Sequence, residues 1–375
     1  MSIITVYKNA YSGLSRNNWY LSIVMLINRS GTMVVPLLTI YCIKQLHFSV
    51  TEAGYIMALF GIGSIIGAYF GGLLSDKIGF YDMQVGTLLS GGLMFIVLGF
   101  QTTFITLAIG TFLLSFCNEA FRPANSTAVA FYSKPENKTR SYSLHRLAVN
   151  LGWAVGAATG GFLASFNYHL LFWVDGCTNI FAALMLLKLM PRSAYTPPVK
   201  NKVASATNRS AYQDKVYLLF ILLITPFNIC FFQFFIMEPV FYKLEWHFNE
   251  RFIGSLLALN GIIIALVELV MVNYLERRKH PLLIIAAGVV VTGIGFVLLN
   301  FLPASAAAAI LVVLIVTLGE MLSMPFMNSF WVSRSTSTNR GQYAALYTMA
   351  WSAAQVIAPT FGSQVIQHGG FKLLW

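Results

Sequence analysis

Charged residues are scarce in this chain. Of its 375 residues only 10% are Asp, Glu, Lys or Arg, whereas 57% are hydrophobic. A water-soluble globule of this composition would expose far more apolar surface than solubility allows. The shortage of charge therefore excludes a soluble fold and predicts an all-α protein that crosses a membrane many times.

Cysteine is also rare, and the common enzyme motifs are missing. The four cysteines have no paired spacing, and the six histidines have no metal-ligand spacing. The chain contains neither a Gly-x-x-x-x-Gly-Lys-(Ser/Thr) loop nor a soluble segment large enough to hold a nucleotide. These absences predict a protein that is not an enzyme, that has no metal site or cofactor, and that does not use ATP.

Long apolar stretches alternate with short polar breaks, and each is long enough to cross a hydrocarbon core of about 30 Å as a helix. We expect eleven complete spans, followed at Phe371 by the start of a twelfth that is truncated at Trp375. A basic linker, 191–214, separates an N-terminal six-helix bundle, 1–190, from a C-terminal bundle of five helices plus the start of a sixth, 215–375. The predicted spans are 19–43, 52–74, 85–100, 104–131, 143–166, 170–190, 216–241, 252–275, 282–301, 305–331 and 342–367.

The basic residues predict an orientation. Most of the 24 Lys and Arg, including Arg140, Arg146 and Arg340, fall on the side of the spans that also holds the N-terminus and the linker. Because basic loops stay in the cytoplasm, we expect a cytoplasmic N-terminus. This distribution also explains the net charge of +11 without a nucleic-acid partner.

The two halves of the chain repeat each other. Because the spacing holds across apolar segments with short loops, it predicts two similar bundles around a pseudo-two-fold axis, a geometry typical of transporters. His47-Phe48, Gly54, Gly61, Asp76-Lys77, Pro123 and Arg140 recur as His247-Phe248, Gly254, Gly261, Glu276-Arg277, Pro325 and Arg340.

Two motifs resemble a known family. The loop after the second span, Gly72 to Gly79, resembles the Gly-x-Leu-(Ala/Ser)-Asp-(Arg/Lys)-x-Gly signature of the major facilitator superfamily, although Phe80 and Tyr81 replace its usual two basic residues. Gly152 to Gly161 is similar to the motif of the twelve-helix drug:proton antiporters, with Ala157 in place of its proline. The resemblance implies a monomeric transporter in a bacterial inner membrane, with alternating access to a central site.

The first motif predicts a gate. Asp76 ends a helix at the cytoplasmic face, where its carboxylate can pair with Arg340 and with the positive end of a helix in the opposite bundle. By the same symmetry Glu276 would face Arg140. The alternative is that Asp76 and Lys77 only cap their helix in solvent. The predicted gating residues are Gly72, Asp76, Lys77, Gly79, Arg140, Glu276 and Arg340.

Charged side chains within spans are costly unless they are paired or face a wet cavity. Glu119 and Glu320 are the predicted proton carriers, and Arg29 and Arg122 are predicted to control proton release. A permanent salt bridge between Glu119 and Arg122 is the structural alternative. Three further carboxylates rank lower: Glu268 is expected outside the cavity, and Glu238 and Asp175 at the membrane interface.

Polar side chains among aromatic and Met residues suit an amphipathic or lipophilic small molecule, although packing explains any single Phe equally well. The predicted substrate-binding residues are Asn28, Asn228, Phe231, Gln233, Met324 and Asn328. The predicted helix-packing residues are Gly152, Gly156, Gly160 and Gly161.

The leading functional hypothesis is proton-coupled export of amphipathic compounds. The alternative within transport is proton-coupled uptake of a nutrient such as a peptide, a sugar or an organic anion, which Arg29 and Arg122 would hold. A membrane scaffold or receptor with a transporter-like fold is the third interpretation.

Overall fold

A computed structural model describes residues 8–192, 210–276 and 280–375 of the chain. Over these ranges the chain is helical and contains no strand, so the predicted all-α fold is confirmed. Most of the predicted linker, 193–209, and Arg277 of the repeat lie outside the described residues. Ten helical segments within them are long and apolar enough to cross a membrane. The predicted eleventh span, 342–367, is not among these ten. Its helix is interrupted at Gly370, with a φ of 70° and a ψ of −178°, directly before Phe371, where the start of a twelfth span is predicted.

The helices follow the predicted spans, but three of the spans are each divided into two helices. The first span is broken between α1 and α2, the seventh between α8 and α9, and the eighth between α10 and α11. The helices are α1 (Arg16–Ser30), α2 (Val34–Lys44), α3 (Val50–Ile78), α4 (Phe80–Leu98), α5 (Phe104–Phe131), α6 (Lys138–Phe166), α7 (His169–Leu189), α8 (Lys215–Ile236), α9 (Glu238–Leu244), α10 (Glu250–Ile263), α11 (Leu269–Leu275), α12 (Pro281–Leu298), α13 (Ala306–Arg334) and α14 (Arg340–Leu374).

The sequence repeat folds in the same way twice. His47 and His247 are the two non-glycine residues with positive φ among those described, and both have a φ of 56°. After each histidine, the N–H of the next residue, Phe48 or Phe248, donates to a carbonyl six residues earlier, at 3.0 Å in both halves. The same tight turn therefore precedes the second span of each bundle, at the start of α3 and of α10.

The buried core shows which ends of the bundles meet. One large apolar cluster combines residues of both bundles, among them Phe80, Tyr217 and Trp331. It lies at the face that carries the basic loops and the described end of the linker, called the basic face below. Nearer the opposite face, Phe172 belongs to a cluster made only of N-terminal residues, and Phe241 to one made only of C-terminal residues. The bundles are thus packed together at the basic face.

Candidate functional site

Asp76 joins the two bundles at the basic face. Its carboxylate accepts hydrogen bonds from the backbone N–H groups of Gly341, at 2.7 Å, and Gln342, at 2.9 Å, in the first turn of α14. Both N–H groups lie in the first turn, which carries the positive end of the helix dipole. The Gln342 N–H is shared with the carbonyl oxygen of Asn339, the N-cap residue, at 3.1 Å. The charge of Arg340 also attracts this carboxylate. Lys77, beside Asp76, is exposed.

Glycine residues allow α3 and α14 to approach each other closely. A methyl group added at Gly72 would lie 2.3 Å from both the Gly341 carbonyl oxygen and Ala345 Cβ, so α3 and α14 are in contact at their backbones. Gly79 has a φ of +96°, a conformation that residues with a side chain rarely adopt, and it lets the chain turn directly from α3 into α4. The predicted gating glycines therefore occupy positions that require glycine.

Glu276 makes the symmetric contact. Its carboxylate accepts from the Thr139 backbone N–H at 2.9 Å and from Arg140 Nε at 3.3 Å, in the first turn of α6. Burial raises the pKa of Glu276, against the lowering effect of the hydrogen bonds from Thr139 and the charge of Arg140. The structure thus brings the two predicted residue sets together across the bundles, whereas their role in gating stays a prediction.

A second group of charges lies deeper. Arg146 of α6 binds Glu268 through Nη1, at 2.5 Å, and Glu320 of α13 through Nη2. Asn260 of α10 donates to the other oxygen of Glu320 at 2.9 Å. The side chains of Glu268 and Glu320 are 3% and 6% exposed. Two carboxylates of the C-terminal bundle therefore enclose one guanidinium of the N-terminal bundle.

This cluster corrects two expectations and gives Glu320 a basic partner. Arg146 was counted with the cytoplasmic loops, although it lies inside the predicted span 143–166, and the structure buries most of its side chain. Glu320 lacks a basic neighbour in its own helix, but Arg146 supplies one from the other bundle. Glu268 was placed outside the cavity, yet it contacts the same guanidinium. The apolar residues around Arg146 were a signal of burial in the sequence.

A π-helical turn determines the direction of the Glu268 side chain. Residues Ile264–Glu268 form a π-helical turn between α10 and α11. Such a turn inserts one residue into the helix and rotates the residues that follow, and it is frequent at functional sites. Glu268 therefore contacts Arg146, although the span that carries it is predicted to pack outside the cavity.

The other predicted charges form a neighbouring cluster. Arg122 Nη1 lies 2.8 Å from Glu119 Oε2, and Ser352 of α14 donates to the same oxygen at 3.2 Å. Arg29 interacts electrostatically with both Arg122 and Glu119. Tyr347 of α14 interacts electrostatically with Arg122 and with Arg146. The i,i+3 salt bridge that the sequence offered as an alternative is present.

The predicted substrate-binding residues do not line one open site. Phe231 and Met324 lie in the shared core. Asn28 donates to Asn179 Oδ1 at 2.8 Å, and Gln233 donates to the Ala358 carbonyl at 3.0 Å. Asn228 is fully buried, and Asn328 accepts from Trp331 Nε1. Substrate contact stays a prediction for these residues.

The glycines of α6 pack against α1. Methyl groups added at Gly152, Gly156 and Gly160 would lie 2.5 Å from Arg29 Cβ, 3.1 Å from the Arg29 carbonyl oxygen and 3.1 Å from Met33 Cβ. The packing prediction is wrong for Gly161, where an added methyl group would meet no atom within 4 Å. Gly161 lies outside the four-residue spacing of the other three.

Asp175 and Glu238, which are expected at the membrane interface, are both buried inside the protein. Asp175 is fully buried, and it accepts from the backbone N–H groups of Met33 and Val34 where α2 begins. The break between α1 and α2 leaves these N–H groups without helical partners, so they need an acceptor. Glu238 begins α9 and is 1% exposed.

Comparison with known proteins identifies the family. The model of the Major Facilitator Superfamily matches residues 21–359. The chain belongs to this superfamily. It is therefore an integral membrane transporter and not an enzyme, and the scaffold interpretation is set aside.

Proteins with similar sequences or structures include a multidrug resistance protein, a cation/proton antiporter and an organic anion transporter. Multidrug resistance protein MdtH of Aeromonas hydrophila is 23% identical over 87% of this chain and 81% of its own length. A Na(+), Li(+), K(+)/H(+) antiporter of Planococcus maritimus is 24% identical over 93% of this chain and 91% of its own length. The human organic anion transporter MFSD10 superposes with a TM-score of 0.73 at 15% identity, over 96% of this chain and 95% of its own, which shows a shared fold.

Proposed function

We propose that this major facilitator exports amphipathic or lipophilic small molecules in exchange for protons. The observation that carries the proposal is the position of Arg146, which lies between Glu268 and Glu320 and joins the two bundles. We further propose that the basic face is cytoplasmic, in a bacterial inner membrane, and that the protein acts as a monomer.

The charges of this cluster do not balance. Two carboxylates beside one guanidinium leave one negative charge uncompensated, and a buried charge is costly unless it is neutralised. A proton on Glu268 or Glu320 removes that charge and weakens the attraction to Arg146. Because this attraction spans the two bundles, proton binding favours their separation at the basic face.

Exchange follows from this coupling. With the basic face closed, a proton arriving from the opposite face binds the carboxylate pair and loosens Arg146, and the basic face opens. The proton leaves to the cytoplasm and the substrate binds. The ion pairs then form again, and the basic face closes with the substrate directed outwards. The names of the multidrug resistance relative and of the cation/proton antiporter support export by exchange.

A second candidate is transport of an organic anion. Arg29 and Arg122 outweigh Glu119 by one positive charge, which suits an anionic group. The structural neighbour named as an organic anion transporter supports this candidate.

Reconstituted vesicles containing a pH-sensitive dye test the proposal. Addition of a lipophilic cation should drive proton flux through the wild type, and Glu320→Gln combined with Glu268→Gln should reduce that flux by about tenfold or more. Glu136→Gln is the matched control, because Glu136 is exposed at the basic face and makes no contact with the cluster.

Three outcomes are distinguishable. Cation-driven proton flux that the double variant loses supports exchange. Flux that persists in the double variant contradicts the role of the carboxylate pair. Flux that only organic anions elicit, and that Arg29→Gln abolishes, favours the second candidate.

A further inference from the structure

Two short segments with similar sequences precede the first helix of each bundle. Residues 9–12 read Asn-Ala-Tyr-Ser, and residues 210–213 read Ser-Ala-Tyr-Gln. The alanine of each, Ala10 and Ala211, is fully buried. Each segment leads to a side chain that caps the following helix, Ser15 for α1 and Asp214 for α8. We call them the N-terminal strap (9–12) and the linker strap (210–213).

The N-terminal strap contacts both bundles. Ala10 packs in one buried cluster with Leu144 of α6 and Leu269 of α11. Leu144 belongs to the N-terminal bundle and Leu269 to the C-terminal bundle. The strap therefore covers the junction between them.

Arg140 connects this strap to the contact between Glu276 and α6. Arg140 Nη1 donates to the carbonyl oxygens of Asn9, Ala10 and Ser12 at 3.3, 3.3 and 3.2 Å. Its Nε simultaneously donates to Glu276 at 3.3 Å. The same guanidinium thus holds both the strap and the cross-bundle carboxylate.

The chain turns sharply after this strap. Gly13 has a φ of +74°, which favours glycine, and its carbonyl accepts from Asn137 Nδ2 at 2.6 Å. This turn directs the chain back to Ser15 and α1. The strap is consequently held at both of its ends.

The linker strap occupies the corresponding place on the other half. The Tyr212 ring lies 5.9 Å from the Tyr69 ring of α3, in the opposite bundle. Ser210 Oγ donates at 2.7 Å to Gln342 Oε1, and the backbone N–H of Gln342 donates to Asp76. Ala211 lies in the core that the two bundles share. This strap therefore also spans the bundles beside a gate contact.

We propose that the two straps are paired latches of the basic-face gate, one from each repeat. Each contacts both bundles, so opening of the basic face must separate each strap from one bundle. The apolar contacts of Ala10 and Ala211 stabilise the closed state and oppose opening. This inference rests on the alternating access of the proposed function but not on proton exchange or on the direction of transport.

Distance measurements between spin labels test the N-terminal strap. The labels are attached at Glu136→Cys and His280→Cys, exposed positions on the two bundles, after replacement of the four natural cysteines. Ala10→Leu places a larger side chain where no space is left, and we expect the ratio of open to closed populations to rise by about fivefold or more. Asn9→Leu is the matched control, because residue 9 is exposed and gains the same side chain.

The linker strap provides an independent test. Ala211→Leu should shift the same distance distribution towards longer values, whereas Gln213→Leu, at an exposed position, should not. If Ala10→Leu prevents folding, Leu269→Ala weakens the same contact from the other bundle without adding volume, and the same shift is expected. Distributions equal to those of the controls in the folded variants of both straps would overturn the proposal.

This readout needs neither substrate nor a proton gradient. A shifted distribution with no proton flux in the vesicle assay supports the latches while it contradicts proton-coupled export. Normal proton flux with unshifted distributions would support proton-coupled export and contradict the latches.

Discussion

At the scale of single residues, buried and partly buried carboxylates bind helix N-termini. Asp76 binds the first turn of α14, Glu276 that of α6, and Asp175 that of α2. In each case a carboxylate supplies an acceptor for backbone N–H groups of the first turn, and it meets the positive end of the dipole. Two of the three contacts cross between bundles, so a side-chain change there alters the balance of states.

Asp76→Asn should weaken the closed basic face. The amide oxygen can accept one N–H, but the amide NH₂ group meets the donors of α14, and the charge is lost. We expect transport in vesicles to fall by about tenfold, with substrate binding retained. Asp82→Asn is the control, since Asp82 is half exposed and, among the described residues, pairs with the exposed Arg192 of its own bundle. Equal transport in the two variants would show that Asp76 has no gating role.

Asp214 gives a prediction on pH. Burial opposes its ionisation, but hydrogen bonds from Arg334, Tyr343 and the Tyr217 N–H lower the pKa of Asp214 from 3.8 to about 2. A lowered pKa means that the stabilisation is complete above the unfolded value and is lost as the pH falls towards 2.

The check is thermal unfolding in detergent. Asp214→Asn should lower the melting temperature by a few degrees, by the same amount at every pH from 5 to 8, and the difference from the wild type should shrink below pH 4. A difference that changes between pH 6 and pH 8 would contradict this account.

At the scale of elements, glycine decides how closely helices approach. α3 meets α14 through Gly72, and α6 meets α1 and the break that follows it through the glycines at 152, 156 and 160. Small residues let helix backbones touch in a membrane, where the hydrophobic effect does not drive helices together. The first contact joins the two bundles and the second lies within one, so substitutions in them have different consequences.

Gly72→Ala should push α3 away from α14. The added methyl group would lie 2.3 Å from the Gly341 carbonyl oxygen, and overpacking of this kind costs about 1–3 kcal/mol. The spin-label distance across the basic face should therefore lengthen, and the melting temperature should fall. Gly54→Ala on the same helix meets no atom within 4 Å, and it should leave both measurements unchanged.

At the scale of the whole molecule, the core is shared at one face only. The bundles form a common cluster at the basic face, whereas nearer the opposite face each described cluster belongs to one bundle. The ion pairs of Arg146 and the contacts of Asp76 and Glu276 lie on the shared side. If the basic face is cytoplasmic, this is a state closed to the cytoplasm.

Labelling of intact bacterial cells tests that orientation. A membrane-impermeant thiol reagent should label Asn167→Cys, at an exposed position on the opposite face, but should label Glu136→Cys only after the cells are opened. The natural cysteines are replaced first, because Cys177 and Cys230 are exposed. The reverse pattern would show that the basic face is external.

The sequence by itself determined the membrane class, nearly all the spans, the repeat and the residues of the Asp76 and Glu276 contacts. These features follow from composition, from the length of apolar runs and from symmetry, which are local or periodic properties of the chain.

The tertiary structure alone decided which charges meet. Arg146 finds Glu268 and Glu320 only when α6 packs against the other bundle, and a π-helical turn that periodicity does not reveal gives Glu268 its direction. Partners across an interface depend on the packing of distant segments, and a single sequence does not encode that packing in its local pattern.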